Sequence, residues 1–497
     1  MKKFNPMLTM DWYKAGHRQQ YPAGTEMVYS TFTPRASRFP GVNHVVVFGF
    51  QAFIKEYLIK FWNDHFFARP VKKIVDEYRK YVENCLFIKN PDTQHIVDLH
   101  TLGHLPIRIL ALPEGLVSPI RCPILTIENT DPRFFWVTNY LETLMSTSLW
   151  QAITSATIAH EYRKMLGQYA LDTVGDDSFV QFQAHDFSMR GMSSLESSIK
   201  SGMGHLLSFV GTDTVSAIEG AECFYNADVS KELIGASIPA TEHSVQCSYA
   251  DDYKYFDMLI SKVYPQGFVS IVSDGYDFWN VVGNVLPKLK DKILARDGKT
   301  VIRPDSGIPE LIVCGDPNGD TELERKGAVE ALWDIFGGTI TPKGYKLLNS
   351  KIGLIYGDSI TYDRAKIIVS RLKNKGFASI NCVFGVGSFT YQYNTRDTFG
   401  FALKSTYCVI NGKEIPIFKD PKTDDGIKKS QRGRVAVVQD SDGSLRYIDG
   451  LSISDNIPGN LLRPIFLDGE LLVDDSFATI RKRLEQSRKA EMSLKCC

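Results

Sequence analysis

Four apolar segments in the second half of the chain end abruptly in polar turn residues. They are 268–274 (FVSIVSD), 300–307 (TVIRPDSG), 352–359 (IGLIYGDS) and 380–388 (INCVFGVGS). Each starts like a buried strand and then breaks into Gly, Ser or Asp. The gaps between them suit one βα unit each, with an insertion in the longest gap. Repeated βα units predict a parallel sheet or barrel whose four polar endings face one mouth.

Helical and hairpin patterns fill much of the remaining chain. Apolar residues at three-to-four spacing predict helices within 44–90 and 133–170. Apolar residues that alternate with turn residues predict short antiparallel strands across 105–130. Asn411-Gly412 and the run 440–443 (DSDG) each separate two β-like segments, which predicts two hairpins before a final helix.

The length of 497 residues exceeds one simple core, yet no Gly/Ser linker, low-complexity run or heptad array divides the chain. We therefore predict an α/β protein with two domains, one of them discontinuous. A central βα barrel-like domain would span 184–390. A mixed, β-rich α+β domain would be built from both chain ends, 1–183 with 391–497.

The composition narrows the classes of function. Hydrophobic residues make up 43% of the chain and charged residues 23%, which is typical of a globular protein. The 57 basic residues balance 57 acidic ones, so nothing favours nucleic acid or a membrane surface as a partner. Nine scattered cysteines without a CxxC pair predict reduced thiols and a cytoplasmic location. The first residues, MKKFNPMLTMDW, lack the apolar core of a signal peptide, and no apolar run approaches membrane-spanning length, so we expect neither feature.

Aromatic and charged side chains cluster in two short stretches before the repeat. In HDFSMRG at 185–191, Phe187 could stack on a flat ring and Arg190 could donate to an oxyanion or carbonyl. The alternative is a polar strand end with Phe187 in the core. In GTDT at 211–214, Asp213 is either a strand-end carboxylate in the mouth or the N-cap of the next helix.

A histidine in the mouth must come from the first half of the chain, because none of the ten histidines follows His243. His243 lies beside Glu242 in SIPATEHS at 237–244, where it could act as an acid, a base or a nucleophile. The alternative is a helix capping box that begins at Thr241.

Charged and small residues occupy the ends of the repeated strands. Arg303 and Asp305 form a charge pair where one strand stops. Small residues in 357–359 (GDS) and 385–388 (GVGS) place backbone N–H groups where they can cradle a phosphate. Walker A, Rossmann GxGxxG and HExxH motifs are absent from the sequence. A ring-stacking face, a ribose-binding Asp and a phosphate cradle together predict a nucleotide-forming site.

These motifs resemble those of the nicotinamide phosphoribosyltransferase family over nearly the whole chain. The matching stretches are DWYK at 11–14, ENTDP at 128–132, HDFSMRG at 185–191, GTDT at 211–214, SIPATEHS at 237–244, VSDGYD at 272–277, RPDSG at 303–307, YGDS at 356–359, FGVGS at 384–388 and FKDP at 418–421. The resemblance implies a type II phosphoribosyltransferase fold and a homodimer with shared active sites. It also implies that nicotinamide and phosphoribosyl pyrophosphate become nicotinamide mononucleotide and pyrophosphate in NAD salvage.

The resemblance also implies roles for residues at matching positions. Phe187 and Tyr13 of the partner subunit should sandwich the pyridine ring. Asp213 should hold the carboxamide, with Arg190 nearby, and Ser237 is a further substrate-binding candidate.

Arg303 and Asp305 should hold the ribose phosphate and hydroxyls, and the catalytic candidates are Asp305, Asp274 and His243. His243 matches the histidine that is phosphorylated when ATP hydrolysis is coupled to the reaction. The 5′-phosphate pocket should be lined by Gly357, Asp358, Gly387 and Ser388.

Phosphate groups dominate the remaining implied contacts. Pyrophosphate or the ATP phosphates should be bound by Arg35, His243, Arg396, Lys404, Lys419 and Lys428. ATP is implied as a co-substrate, and Mg²⁺ is implied as a cofactor held mainly through the substrate phosphates, with no protein ligands assigned. In one departure, the family's glycine run reads Val-Gly-Ser here, which adds the Ser388 side chain to the cradle.

Two other functions fit the same sequence. Nicotinate phosphoribosyltransferase shares the fold but takes an acid in place of the amide. A βα-barrel protein that only binds a nucleotide, or that acts as a signalling partner, is of a different class. A full set of polar strand ends is hard to explain in such a pure binding module.

Overall fold

The computed structural model describes residues 4–418 and 430–494, with side chains described as far as Glu491. These residues form two compact units, which we name by their main sheets. The boundaries that the sequence predicts for two independently folding domains stay a prediction. The antiparallel unit comprises Met1–Thr157, Ala221–Ala227 and Asn394–Ala490, and the parallel unit comprises Ile158–Gly220, Asp228–Tyr393 and Glu491–Cys497.

Short strands are spread along the whole described chain. In order they are β1 Thr25–Thr33, β2 His44–Val46, β3 Ile107–Ala111, β4 Val117–Pro119, β5 Leu125–Asn129, β6 Ala184–Asp186, β7 Gly211–Thr212, β8 Gln266–Val272, β9 Asp297–Arg303, β10 Gly338–Ile340, β11 Lys346–Leu348, β12 Ile352–Tyr356, β13 Cys382–Val386, β14 Ala402–Ile410, β15 Lys413–Pro416, β16 Arg434–Gln439, β17 Leu445–Leu451, β18 Arg463–Leu467 and β19 Glu470–Leu471.

Helices alternate with these strands, and short 3₁₀ and π turns extend several of them. In order they are α1 His17–Gln20, α2 Phe50–Phe53, α3 Val71–Cys85, α4 Gln94–Leu102, α5 Val137–Tyr140, α6 Glu142–Thr173, α7 Leu195–Leu206, α8 Val215–Tyr225, α9 His243–Gln246, α10 Asp252–Met258, α11 Phe278–Asn280, α12 Leu286–Ala295, α13 Pro309–Cys314, α14 Glu322–Lys326, α15 Ala328–Phe336, α16 Tyr362–Asn374, α17 Ser388–Tyr391 and α18 Phe477–Leu494. The helices predicted within 44–90 and 133–170 are confirmed.

The main sheet of the parallel unit confirms the predicted βα repeat. Its strands run in the order β7-β6-β13-β12-β9-β8, and every pairing is parallel. The four repeated apolar segments are β8, β9, β12 and β13. Inserted between β9 and β12 are α13 to α15 and the β10–β11 hairpin, which account for the longest gap. Because these strands share one direction, their carboxyl ends lie at one edge.

α16 shows how local sequence fixes one turn of that edge. The Thr361 hydroxyl accepts a hydrogen bond from the Arg364 backbone N–H, which caps the helix start. The buried face recurs at three-to-four spacing and consists of Ala365, Ile368, Val369 and Leu372. The capped and buried helix therefore anchors the turn after β12, which carries Asp358.

The antiparallel unit is built on a sheet of order β15-β14-β1-β5-β3-β18-β19, to which both ends of the chain contribute. β1 pairs with β14 on one side and with β5 on the other. Both predicted hairpins are present. β14 and β15 flank Asn411 and Gly412, whose φ angles are 49° and 70°, and β16 pairs with β17. The short strands predicted across 105–130 are β3, β4 and β5, and their pairings are antiparallel.

Aromatic rings stack inside the antiparallel unit, and the described thiols, some buried and some exposed, are unpaired. In the antiparallel unit, the rings of Phe32 and Phe401 stack with centroids 5.5 Å apart. The seven cysteines among the described residues are all free, as their scattered positions predict.

Within residues 4–418 and 430–494, no helix combines the length and apolarity that a membrane span requires.

Candidate active site

Eight of the residues predicted to bind substrate line one cavity at the carboxyl edge of the parallel sheet. The cavity has a volume of about 640 Å³. These residues are Phe187, Arg190, Arg303, Asp305, Gly357, Asp358, Gly387 and Ser388. They lie at or just after the ends of β6, β9, β12 and β13, so the common strand direction brings them together. A flat apolar ring, cations, carboxylates and small residues therefore share one mouth.

The aromatic ring of Phe187 packs beside two glycines. The backbone N–H of Phe187 donates to the carbonyl of Val386 at 3.0 Å, which continues the β6–β13 pairing. A Cβ on Gly385 would overlap the ring, and a Cβ on Gly357 would lie 3.1 Å from Cε2 of Phe187. The ring is only partly buried and lines the cavity, so the interpretation of Phe187 as plain core is wrong. Glycine is required at position 385 because the ring occupies the space of its side chain.

Asp213 directly follows β7, and its carboxylate is exposed at the mouth. The Ser237 hydroxyl donates to Oδ1 of Asp213 at 2.5 Å. The donor described for this carboxylate is therefore the Ser237 hydroxyl and not a backbone N–H of α8. This contact argues against the interpretation of Asp213 as the N-cap of α8. His185 on the neighbouring β6 is mostly buried, and burial lowers the pKa of its imidazole to about 4. His185 is therefore neutral at pH 7 and does not compensate the charge of Asp213.

His243 and Asp274 form a hydrogen-bonded pair that links α9 to the end of β8. Nε2 of His243 lies 3.1 Å from Oδ1 of Asp274, whose side chain is only 3% exposed. The other carboxylate oxygen of Asp274 accepts from the Asp305 backbone N–H at 2.8 Å and from the Ser306 hydroxyl at 2.6 Å. One carboxylate therefore orients the imidazole and also holds the turn after β9.

Contacts around His243 decide two questions that the sequence leaves open. The carboxylate of Glu242 accepts from the Ser244 hydroxyl, so the nearby carboxylate that orients the ring is not Glu242. The Thr241 hydroxyl accepts from the backbone N–H of Val272 at 3.0 Å instead of capping α9. The interpretation of this stretch as a capping box is therefore wrong.

Three carboxylates face one another beside a guanidinium. Burial raises the pKa of Asp305, the charges of Asp274 and Asp358 raise it further, and Arg303 opposes them. The Arg303 guanidinium donates to the carbonyl of Thr241, and its Nε is buried without a partner in the described part of the chain. Clustered carboxylates and an incompletely paired guanidinium favour a ligand that brings both phosphate and a divalent cation.

The Ser388 side chain, which departs from the resembled glycine run, packs against another glycine. A Cβ on Gly191 would overlap Oγ of Ser388. The position of a Cβ on Gly387, by contrast, is open, with no atom within 4 Å. Because Gly191 has no side chain, the mouth accommodates the extra hydroxyl.

Two of the predicted phosphate-binding cations lie together in the antiparallel unit. Arg35 and Lys404 line a cavity of about 120 Å³. Arg121 lines it as well, and it is missing from the sequence-based prediction. Its φ of 73° is unusual for a residue with a side chain, but no motif marks it in the sequence.

The remaining predicted residues of this unit are placed separately. Arg396 is exposed, and its guanidinium lies 3.5 Å from Asp397. Tyr13 is 60% exposed on the turn Trp12–Gly16, as a residue that reaches another chain would be. Lys419 and Lys428 lie outside the described residues.

Family models and a solved structure cover most of the chain. The model described as "Nicotinate phosphoribosyltransferase (NAPRTase) family" matches residues 182–470, more than half of the chain. The model described as "Nicotinamide phosphoribosyltransferase, N-terminal domain" matches residues 5–109. The structure of human nicotinic acid phosphoribosyltransferase aligns with a TM-score of 0.59 over 97% of this chain and 93% of that chain. At 15% identity, that alignment supports the type II phosphoribosyltransferase fold and nothing further.

Curated relatives match at higher identity. A nicotinamide phosphoribosyltransferase of Acinetobacter baylyi is 47% identical over 97% of this chain and 98% of the relative. Another, of Mycoplasma genitalium, is 35% identical over 86% of this chain and 94% of the relative. The recognition made from the motifs is thereby confirmed. The chain belongs to the nicotinate phosphoribosyltransferase (NAPRTase) family, among its nicotinamide phosphoribosyltransferases.

Proposed function

We propose that this enzyme transfers the phosphoribosyl group of phosphoribosyl pyrophosphate to nicotinamide, in NAD salvage in the cytoplasm. The ring nitrogen would bond to C1 of the ribose, and pyrophosphate would leave with the electron pair of the broken C1–O bond. The proposal rests on one observation, which is that groups suited to the base and to the ribose phosphate share a single mouth. Phe187 and Asp213 line one side of this mouth, and the cavity of Asp305, Asp358 and Gly387 forms the other.

At the base end, the aromatic face and the carboxylate have separate tasks. Phe187 would stack on the pyridine ring, and Tyr13 of the partner subunit would cover its other face. Asp213, held by Ser237, would accept a hydrogen bond from the carboxamide N–H, with Arg190 near the carbonyl. A nicotinate carboxylate would meet the same-sign charge of Asp213, so the amide is the favoured base.

At the ribose end, Arg303 and Asp305 would hold the ribose phosphate and hydroxyls. Gly357, Gly387 and Ser388 would line the pocket of the 5′-phosphate. Mg²⁺ fits this end because carboxylate oxygens are the ligands it prefers, and Asp305 with Asp358 would hold it beside the substrate phosphates. Bound there, the cation would neutralise part of the pyrophosphate charge.

ATP coupling would run through His243. Its Nε2 faces Asp274, so the proton rests on Nε2 and the lone pair of Nδ1 remains available. Nδ1 would attack the terminal phosphorus of ATP, and ADP would leave with the electrons of the broken P–O bond. Asp274 would hold the Nε2 proton throughout.

A homodimer would complete the site. Tyr13 would come from the second subunit, and Arg35, Lys404 and Arg396, with Lys419 and Lys428, would bind pyrophosphate or ATP phosphates. Tyr13→Ala and Phe187→Ala proteins should each have low activity and should recover part of it when mixed. Absence of recovery, with subunit exchange verified, would rule out shared sites.

The reaction itself is tested by pyrophosphate release from phosphoribosyl pyrophosphate with nicotinamide, nicotinate or no base, each with and without ATP. We expect release with nicotinamide, stimulated by ATP, and little with nicotinate. A preference for nicotinate would make the enzyme a nicotinate phosphoribosyltransferase. Absence of release with either base, from protein that binds the nucleotide, would favour the binding-protein alternative.

The phosphohistidine is tested separately. Incubation with γ-labelled ATP should give an acid-labile protein phosphate in the wild type and in Glu242→Gln, whose carboxylate bonds to Ser244. His243→Ala should lose the label and the stimulation by ATP, and Asp274→Asn should label more slowly. Full ATP coupling in His243→Ala would overturn the role of this residue.

A further inference from the structure

Two aromatic rings that the proposed reaction does not use lie exposed at the mouth of the parallel unit. Phe389 and Tyr393 line the cavity of about 640 Å³ together with Gly387 and Ser388. Phe389 is 57% exposed and Tyr393 is 81% exposed. Their rings are nearly parallel, with centroids 5.4 Å apart and an interplanar angle of 2°. This pair, which we call the aromatic platform, therefore presents a flat face to solvent beside the residues proposed to bind phosphate.

The residues between the two rings anchor the segment to the interior of the parallel unit. Tyr391 is buried, and its hydroxyl lies 2.7 Å from Nδ1 of His205. The Thr390 hydroxyl donates to the carbonyl of Ile360 at 2.8 Å. Because these contacts fix the backbone between the rings, the aromatic platform keeps one orientation at the mouth.

The position and shape of the aromatic platform suit a nucleobase. A single exposed aromatic side chain is common on protein surfaces, whereas two stacked rings beside a phosphate cradle supply both parts of a nucleotide-binding site. Stacking strengthens with the area of overlap between rings, so the platform favours a purine over the single ring of a pyrimidine or of nicotinamide.

The mouth also has the length that a nucleoside triphosphate needs. The aromatic platform follows β13, whereas His243 contacts Asp274 just after β8. The order β13-β12-β9-β8 separates these places by three strand spacings, about 14 Å at ~4.8 Å each. Asp358 and Asp305 follow the two strands in between, where a divalent cation would meet the phosphates. An extended triphosphate would thus reach from the platform to the imidazole.

We propose that the aromatic platform binds the purine base of a nucleoside triphosphate, with the phosphates directed across the mouth toward His243. This inference rests on the proposed use of ATP as a co-substrate. It adds the place of the base, which lies outside the slot where Phe187 would stack on nicotinamide. Nicotinamide and the purine would therefore be bound at the same time. The triphosphate, by contrast, would exclude phosphoribosyl pyrophosphate, because both need the phosphate cradle.

The test compares adenylyl imidodiphosphate, a non-hydrolysable analogue of ATP, with inorganic tripolyphosphate, which carries the phosphates without the base. In titration calorimetry on the full chain with Mg²⁺, the wild type should bind the analogue about tenfold more tightly than tripolyphosphate. The double variant Phe389→Leu and Tyr393→Leu should bind the two ligands within about twofold of each other, because leucine is apolar but cannot stack.

Two control variants separate stacking from exposure. Phe389→Tyr keeps the aromatic ring and should keep the preference for the analogue. Phe87→Leu removes a ring that is 81% exposed in the antiparallel unit, outside the cavity, and should also keep it. An unchanged preference in the double leucine variant would overturn the proposal.

Competition with nicotinamide locates the base. If the purine lies on the aromatic platform, saturating nicotinamide should leave the affinity for the analogue within about twofold, whereas a purine stacked on Phe187 would bind about tenfold more weakly. The second result would overturn the proposal. So would a double leucine variant that dissociates in light scattering but keeps its preference, because the rings would then form a subunit contact. Calorimetry measures binding without turnover, so a failure of the proposed transfer reaction is read separately.

Discussion

The buried carboxylate of Glu128 in the antiparallel unit and the cavity cations of the parallel unit differ in what is available to compensate their charge. In the antiparallel unit, the carboxylate of Glu128 is only 2% exposed, and it accepts from Arg108 at 2.6 Å and also from Arg434. In the parallel unit, Arg190 and Lys299 line cavities, and no partner is described for either in the residues covered by the structure. The charge of Glu128 is compensated by arginines of the fold itself, whereas the charges of the cavity cations are available to a ligand.

The energetic reason is the cost of taking a charge out of water. A buried carboxylate is tolerated only when opposite charge and hydrogen bonds compensate it, so Glu128 is tied to its neighbours for stability. A cavity side chain keeps part of its hydration until a ligand displaces the water. Substitutions in the first group should therefore change folding, and substitutions in the second group should change binding.

The largest effect on stability is expected at the compensated carboxylate. Arg434→Met leaves Glu128 with Arg108 alone and should lower the free energy of unfolding by about 3 kcal/mol, measured by urea denaturation. The control is Arg446→Met, whose pair with Asp440 is exposed, and it should cost less than about 1 kcal/mol. Equal losses in the two variants would contradict the distinction between the two kinds of charge.

The next effect concerns base choice at Asp213. Like charges about 4 Å apart at an effective dielectric of ~20 repel by roughly 4 kcal/mol, close to a thousandfold. Asp213→Asn should therefore raise the ratio of kcat/KM for nicotinate over nicotinamide, by up to about that factor, with little change in stability. Glu242→Gln removes the same charge elsewhere on the cavity wall and should move the ratio far less. If Asp213→Asn leaves the ratio of kcat/KM for nicotinate over nicotinamide unchanged, Asp213 has a structural role and does not select the base.

A smaller effect is expected from the glycine beside the ring. Gly385→Ala puts a methyl group where the Phe187 ring lies, which should cost about 1–3 kcal/mol of stability and shift the ring enough to lower kcat/KM about a hundredfold. Gly387→Ala meets no atom within 4 Å and should retain the stability of the wild type. Calorimetric unfolding of the two variants separates these outcomes, and equal melting temperatures would contradict the packing argument.

The smallest effect is expected in the antiparallel unit's own cationic cavity. Lys404→Met should weaken pyrophosphate binding about tenfold, near the lower limit of ~1.5 kcal/mol for a hydrogen bond to a charged group, and the loss should shrink at high salt. Lys413→Met on the neighbouring β15 removes an exposed lysine and should leave binding unchanged. Titration calorimetry with pyrophosphate measures the affinity of both variants. Equal affinities of Lys404→Met and Lys413→Met would show that Lys404 does not bind pyrophosphate.

The local pattern was sufficient to predict the βα repeat, both hairpins and the main helices. Strand segments such as 300–307 combine a short apolar, β-branched run with an abrupt turn, and Asn411-Gly412 favours one turn type, so these features need no distant partner. The mouth was predictable for the same reason. Parallel strands must end at one edge, so the residues that follow them, such as Asp305 and Asp358, must gather there.

Contacts between residues far apart in the chain could not be inferred from the sequence. The choice of Asp274 over Glu242 as the partner of His243 depends on how α9 packs against β8, and a neighbour in sequence is no guide to it. The left-handed backbone of Arg121 has no local signal either. Motif and periodicity determined which residues reach the mouth, because each repeated βα connection returns the chain in the same direction and so places the next strand end at the same edge. Tertiary packing alone decided which charges are paired and which are left open, because pairing depends on side chains that the chain brings together from a distance.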